Sequence, residues 1–526
     1  MTQGYLALVL HAHLPFVRHS KHPCCLEEKW LFEAINETYL PLLRVFEGWK
    51  RDGIPARVTV SLTPPLLEML RDELLVERYS QSLNKTLELT YKELARTATN
   101  PAEHRVVRMY QELYETNRYE FHHRYNRDLV AAFARLQEAG ILEIIASAAT
   151  HGYLPLLAET PSAVKAQIQV GVETYRRHLA KEPVGFWLPE CGFSPGLDEL
   201  LFAGGLRYVI LDTHGILYAS PRPRYGTYAP IYCQSGLAAF GRDVESSKQV
   251  WSQQEGYPGD YDYRDFYRDI GFDLDLDYIA PYILPEGKRI HTGLKYYRIT
   301  GPTQYKEYYD PERAREKAAV HAGNFVFNRE HQISYLAGLM DRKPIVVAPY
   351  DMELFGHWWF EGPKWLDYVV RKTACDQKVF TLITPGDYLK IYPRNQVSTP
   401  CMSSWGWKGY HEVWLNSTND WLYPHLYEAA LRMEELARTY PRASGLLARA
   451  LNQMARELLL AQSSDWAFIM KTGTVVEYAK KRFNNHINRF NGLYQQIKED
   501  RLEEDWLSEL EATDNIFGTL NYQFYG

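Results

Sequence analysis

The chain has 526 residues, a formal net charge of −6, 46% hydrophobic residues and 24% charged residues. That length exceeds one ordinary domain, so a large domain with at least one appended unit is expected. The acidic balance leaves no basic footprint, which excludes a nucleic-acid partner, and the composition is that of a soluble globular protein.

The N-terminus lacks a basic segment before its apolar run, and that run ends at His11, too short for a signal-peptide core or a membrane span. Six cysteines are thinly spread: Cys24, Cys25, Cys191, Cys233, Cys375 and Cys401. The adjacent Cys24-Cys25 suits neither zinc-finger spacing nor a disulfide scaffold, so a reduced, cytoplasmic setting is expected. The 39 tyrosines and 13 tryptophans suit carbohydrate contact and general packing equally.

Tyr5–Leu10 reads as a buried strand ending in His11-Ala12-His13-Leu14-Pro15. A helix is expected from Leu26 to Trp49, and a second strand from Ala56 to Leu62, stopped by Thr63-Pro64-Pro65. Between Leu66 and Gly140 no strand pattern survives. Residues 70–125 read as an inserted helical subdomain, longer than a crossover needs. Leu142–Ser147 is the next strand, ending near Thr150-His151-Gly152, and a helix follows from Ser162 to Leu179. A short apolar strand then delivers Glu190, and Leu206–Leu211 leads to Asp212-Thr213-His214.

Residues 218–310 are rich in Tyr and Asp with poor periodicity, and read as a long loop system over a site. Ile345–Val347 opens a strand running into Pro349-Tyr350-Asp351, and Val379–Ile383 reads as a last barrel strand. Three helices are expected in the tail, over about Trp421–Tyr440, Ser444–Leu460 and Val475–Asp500. The expected division is a catalytic domain over 1–400 and a C-terminal helical domain over 401–526 that contributes to the substrate cleft.

Short buried strands alternating with helices indicate a parallel sheet. In strand after strand a polar group sits just past the C-terminal end: His11 and His13, His151, Glu190, His214, Asp351. That is where a parallel β/α barrel builds its active site. Glu190 and Asp351 are a carboxylate pair of the kind that retaining glycosyl transfer needs, one as nucleophile and one as acid. The apolar Trp358, Trp359 and Phe360 could raise the acid's pKa. His11 and His13 share one side of an extended segment, which admits either metal ligation or hydrogen bonding to sugar hydroxyls. Trp405 and Trp407, flanked by serine and glycine, suit a stacking platform, and Asp465 could equally be a helix N-cap.

Several motifs in order resemble glycoside hydrolase family 57, and within it the branching-enzyme-like group. They are His11-Ala12-His13-Leu14-Pro15, Ala149-Thr150-His151-Gly152-Tyr153, Trp187-Leu188-Pro189-Glu190, the run from Pro349 to Trp358, and Ser403-Ser404-Trp405-Gly406. The resemblance implies an α/β fold, a distorted (β/α)7 barrel with an inserted helical domain and a C-terminal all-helical domain, and a retaining mechanism with neither metal nor cofactor. It implies Glu190 as nucleophile and Asp351 as proton donor and general acid/base. It places His11, His13, His151, Trp358, Trp405 and Asp465 on the substrate, and Arg264, Gly293 and Thr474 by a looser match; Thr474 stands where relatives have glutamine.

Gln234–Asp243 matches a flexible loop over the site in branching relatives, with Phe240 in place of their tyrosine. The implied activity is branching of an α-glucan such as amylose, amylopectin or glycogen, by a monomer or weak homo-oligomer. The alternatives are α-amylase or 4-α-glucanotransferase activity. More remote are a metal-dependent amidohydrolase using His11, His13, His151, His214 and Asp351, and a non-catalytic glucan-binding protein.

Overall fold

The computed structural model describes residues 2–21, 25–252, 255–284 and 287–526; Cys24 lies outside them. Strand β1 (Gly4–Ala12) is buried along nearly its whole length, which is why its sequence is a continuous apolar run rather than an alternating one. The other strands are β2 (Val58–Leu62), β3 (Leu142–Ser147), β4 (Gly185–Trp187), β5 (Tyr208–Leu211), β6 (Ile231–Tyr232), β7 (Ala238–Gly241), β8 (Ile345–Asp351) and β9 (Phe380–Leu382).

Hydrogen-bonded pairing runs β7-β5-β4-β3-β2-β1-β8, every neighbouring pair parallel. A parallel bridge between Arg242 and Val347 joins β7 to β8 and closes the ring. The result is a (β/α)7 barrel. Its interior is filled by alternate side chains from several strands, among them Ala7, Val9, Ile145, Trp187, Ile210, Phe240 and Val347.

Two expectations are corrected here. The run Gln234–Asp243 is not a flexible loop: its centre is β7, the seventh barrel strand, and Phe240 is fully buried against Tyr208 and Tyr388. Residues 218–310 therefore supply a stave of the barrel as well as loops. Four residues between Gly236 and Gly241 are too few to announce a strand by period. Second, β9 does not close the barrel. It pairs with residues 4–6 of β1, on the edge that β2 occupies further along.

Leu26–Ala34 and Leu40–Arg51 form one helical run, interrupted by a π-helical turn at Ile35–Tyr39. The inserted unit is a pair of long helices, Glu73–Arg96 and Pro101–Tyr119. Asp72 and Asn100 cap them by accepting from the backbone N–H groups of Leu75 and Glu103. The tail holds helices Leu422–Thr439, Gly445–Ala461, Ser464–Thr472, Val476–Lys498 and Glu504–Thr513. Among the described residues no helix is long and apolar enough to cross a membrane.

Candidate active site

The strand register sets the site. His11 of β1 lies opposite Ser61 of β2 on one side and Asp351 of β8 on the other. His11 Nδ1 bonds Ser61 Oγ at 3.1 Å and its Nε2 bonds His151 Nε2 at 3.0 Å. His151 Nδ1 in turn bonds Ser464 Oγ at 3.0 Å. His13 Nδ1 bonds Thr63 Oγ1 at 3.1 Å, and its Nε2 meets Asp465 Oδ2 at 3.0 Å.

The three imidazoles lie nearly parallel. The rings of His13 and His151 are 3.9 Å apart with a 17° tilt, and Trp187 stacks on His11 at 4.5 Å. Burial, with their histidine neighbours, pushes His11 and His151 well below the ordinary histidine range. Both are neutral at physiological pH, and their ring nitrogens are engaged by Ser61, Ser464 and one another.

Glu190 stands in the turn Pro189–Cys191 that follows β4. Its φ of +62°, like the +57° of His151, is in the left-handed region that residues with a Cβ seldom adopt. Such conformations cost about 1–3 kcal/mol and gather at functional sites. Trp405 holds Glu190 twice. Its backbone N–H donates to the Glu190 carbonyl at 3.0 Å, and its indole Nε1–H donates to the carboxylate Oε2 at 2.7 Å. The Glu190 side chain keeps 18% of its surface open. Burial pushes its pKa up to about 7; the Trp405 bond pulls it down, and the charges of Asp351 and Asp465 push it up.

Asp351 ends β8, and its pKa is also pushed up to about 7. Burial is the main cause and the charge of Glu353 the next, while His13 and Arg242 pull the other way. No hydrogen bond reaches the Asp351 carboxylate among the described residues. Asp465 behaves oppositely. Against the upward push of burial, the charge and hydrogen bond of His13 bring it to about 2, so it is a firm anion.

The structure thus gathers Glu190, Asp351, His11, His13, His151, Trp405 and Asp465 around the C-terminal ends of β1, β3, β4 and β8. Asp465 is not the N-cap of its helix: Ser463 is, and Asp465 lies in the first turn. Trp358 stacks on Phe266 at 4.4 Å and remains 54% exposed. Trp359 turns instead into the core, beside Tyr263, Phe355 and Trp365. Trp407 is 62% exposed, with Lys408 Nζ 4.4 Å from its ring.

The three positions of the looser match are placed as follows. The Arg264 side chain is 1% exposed, and its guanidinium donates to Glu37 at 2.7 Å, to the Tyr110 hydroxyl and to the His357 carbonyl. Gly293 has both backbone groups taken: its N–H donates to Asp269 and its carbonyl accepts from Tyr114. Both positions are bonded to protein partners that tie the loops down. Thr474 sits exposed in the turn before Val476–Lys498, with no hydrogen bond among the described residues. His214 is also committed, to Asp212 and to the Gly409 carbonyl.

The amidohydrolase alternative needs a metal among the histidines. His11 Nε2 and His151 Nε2 lie 3.0 Å apart, but among the described residues no third ligand atom gathers with them. Among the described residues, the groups whose ligand atoms gather within 4.8 Å are His19, Cys25 and Glu27, and Glu457, His486 and Asp514, neither of them at this site.

Sequence reasoning missed the scaffold around these groups. Ser61, Thr63 and Ser464 orient the histidines. Arg242 donates to Asp212 at 3.1 Å and lies 5.6 Å from the Trp405 ring. Glu353 and Tyr39 form a bonded pair behind Asp351. Only Glu353, two residues past Asp351, carried a readable signal.

A barrel of seven parallel strands with two carboxylates and a histidine cluster at its C-terminal end is the architecture of a glycoside hydrolase. The chain belongs to glycosyl hydrolase family 57, whose model matches residues 7–400. A second model, the C-terminal domain of 1,4-alpha-glucan branching enzyme, matches residues 425–525.

The chain is 35% identical to the 1,4-alpha-glucan branching enzyme of Thermococcus kodakarensis, over 98% of this chain and 77% of that protein. Among solved structures it resembles the alpha-amylase AmyC of Thermotoga maritima, at 45% identity and a TM-score of 0.93, covering 99% of both chains. It also resembles the branching enzyme of Pyrococcus horikoshii, at 32% identity and a TM-score of 0.89, covering 100% of this chain and 97% of that one.

Proposed function

We propose that the chain is a 1,4-alpha-glucan branching enzyme that works by retaining double displacement. In the first half, the Glu190 carboxylate attacks the anomeric carbon, the α-1,4 bond breaks, and Asp351 gives its proton to the departing oxygen. In the second half, the Asp351 carboxylate takes the proton of an acceptor C6 hydroxyl. That oxygen attacks the anomeric carbon, displaces Glu190, and leaves an α-1,6 branch. His11, His13, His151 and Asp465 would line the subsite of the attacked glucose, and Trp405 would offer its open surface to the ring.

The observation that carries this reading is the unequal treatment of two acids that both sit near pH 7. Glu190 receives an N–H donor, which favours its anion, and Asp351 receives none. An N–H donor on the nucleophile and none on the acid suits the first step. Branching rather than hydrolysis is supported by residues 425–525 matching the branching-enzyme C-terminal family. The same part of the chain also supplies Ser464 and Asp465 to the histidine cluster.

Hydrolysis is the second reading, favoured by the 45% identity to an alpha-amylase. Incubation with amylose followed by debranching separates the two. Branching predicts new α-1,6 linkages and a population of short chains released by the debranching enzyme. Shorter linear chains or maltose, with no α-1,6 linkage, would reassign the protein to hydrolysis or linear transfer.

A further inference from the structure

Trp405 donates to the Glu190 carboxylate, so whatever fixes Trp405 bears on Glu190. Its loop, residues 404–410, leaves the barrel at Ser403, which exchanges backbone bonds with Phe193. The loop then closes on itself. The Ser404 N–H donates to the Gly409 carbonyl at 2.8 Å, and the Gly409 N–H to the Gly406 carbonyl at 2.8 Å. Lys408 and Gly409 reach that closure with φ of +66° and +83°, in the left-handed region.

The Gly409 carbonyl is also where the barrel holds the loop. His214 Nε2–H donates to it at 2.7 Å, and His214 Nδ1–H donates to Asp212 Oδ1 at 3.1 Å. Glycine permits the approach, since a Cβ on Gly409 would stand 2.8 Å from His214 Cε1. Asp212 follows β5 and heads the short helix Thr213–Leu217 that carries His214. Its other oxygen accepts from Arg242 Nη1 at 3.1 Å, and the Arg242 guanidinium lies 5.6 Å from the Trp405 ring. One carboxylate thus places both the imidazole that holds the loop and the cation beside the indole.

Neither partner of the His214 ring can donate: one is a backbone carbonyl, the other a carboxylate paired with Arg242. A neutral imidazole carries one N–H and makes one of the two bonds; both together need the imidazolium. The titration directions agree. The Asp212 bond lifts His214 above the ordinary histidine range, against burial. Against the upward push of burial, the His214 bond and the Arg242 charge hold Asp212 below the ordinary carboxylate range. The other titratable groups packed here are Tyr410, with its ring 5.3 Å from His214, and Cys401, with its Sγ 3.6 Å from the His214 carbonyl. Cys191 after β4 faces Asp212, its thiol pushed up by burial, and the Lys408 ammonium turns to Trp407.

We propose that His214, as an imidazolium between Asp212 and the Gly409 carbonyl, is a positioning residue for the nucleophile: it latches the loop that aims the Trp405 indole at Glu190. The proposal rests on Glu190 being the nucleophile. Without the latch the indole drifts from the carboxylate, the Glu190 anion loses its donor, and the acid limb of activity moves to higher pH.

The test is the pH profile of kcat/KM on a linear α-1,4-glucan. An asparagine amide stands where Nδ1 does and a glutamine amide where Nε2 does. His214→Asn therefore keeps the Asp212 bond and loses Gly409, and His214→Gln does the reverse. His214→Asn is expected to move the acid limb up by about one pH unit, a loss of about tenfold at pH 6 that fades by pH 9. His214→Gln is expected to restore the limb. In a Trp405→Phe background His214→Asn should add no further shift, because the donor it aims is already gone. A uniform drop at every pH, or a shift that adds in full to that of Trp405→Phe, overturns the proposal. So does a His214 ring found neutral at pH 7 by nitrogen NMR of the wild type. Should His214→Asn not fold, Gly409→Ala, which pushes a Cβ into the same contact, decides in its place. Glu190→Gln is assayed beside them: retained cleavage there would sink the assignment of the nucleophile itself, a separate failure.

Discussion

The indole of Trp405 is the one direct hydrogen-bond donor to the Glu190 carboxylate among the described residues, and Trp405→Phe removes it while keeping an aromatic ring. A hydrogen bond to a charged group is worth about 1.5–3 kcal/mol. At about 1.4 kcal/mol per pKa unit, its loss raises the Glu190 pKa by about one to two units. Glu190 starts at about 7, so roughly half is ionised at pH 7.

The variant would hold only about 1–10% as anion at pH 7, a loss of about five- to fiftyfold in kcat/KM. The loss grows on the acid side, because the anion is the reactive form and protons compete for it. The assay is the pH dependence of kcat/KM for cleavage of a linear glucan, with wild type and variant in the same buffers. An acid limb displaced upward by about one to two units confirms the coupling. An unmoved limb with a uniform drop would show that Trp405 acts by stacking alone, and the account of the nucleophile's charge would fail.

Other outcomes follow from the same geometry. Asp465→Asn removes a carboxylate held at about 2 by His13. Because its folded pKa lies below the ordinary value, its contribution of about 2 kcal/mol is present at neutral pH and is lost as pH falls through about 2. Denaturant titrations should show the gap to wild type at pH 7 and its narrowing below pH 4; a gap that ignores pH refutes the pair. Phe240→Tyr would bury a hydroxyl inside the barrel without a partner and cost about 1–3 kcal/mol, read as a lowered Tm with no gain in branching. A neutral Tm and a higher branching ratio would put Phe240 back on a mobile loop. Exhaustive treatment with chelator should leave cleavage unchanged, since among the described residues no three ligand atoms gather at the histidines; loss of activity restored by zinc would revive the amidohydrolase reading.

How much of this was legible beforehand depended on local chemistry. The polar groups at the strand ends could be read because each follows a buried apolar run: His11 after β1, Glu190 after β4, Asp351 along β8. The helices of the insertion and tail could be read because their apolar positions repeat at helical spacing over many turns. β7 could not, since Ala238–Gly241 has the length and glycine content of a turn. Nor could the bonds that complete the site.

Ser61, Thr63, Ser464 and Tyr39 are ordinary residues whose roles come from register and domain packing. His13 and Asp465 are 452 residues apart in the chain. Arg264, expected on the substrate only from the family resemblance, is bonded to Glu37 of the first helical run, a contact between distant segments that no local pattern announces.

The central claim is that Glu190 becomes covalently bonded to the sugar while Asp351 only handles protons. The most direct measurement is to slow turnover with Asp351→Asn, supply an activated α-glucosyl fluoride, and digest the trapped protein for mass spectrometry. The account predicts one added glycosyl mass, on the peptide containing Glu190. A label on the peptide that carries Glu353 and the substituted position, or a substrate converted with no labelled protein at any time, would contradict it.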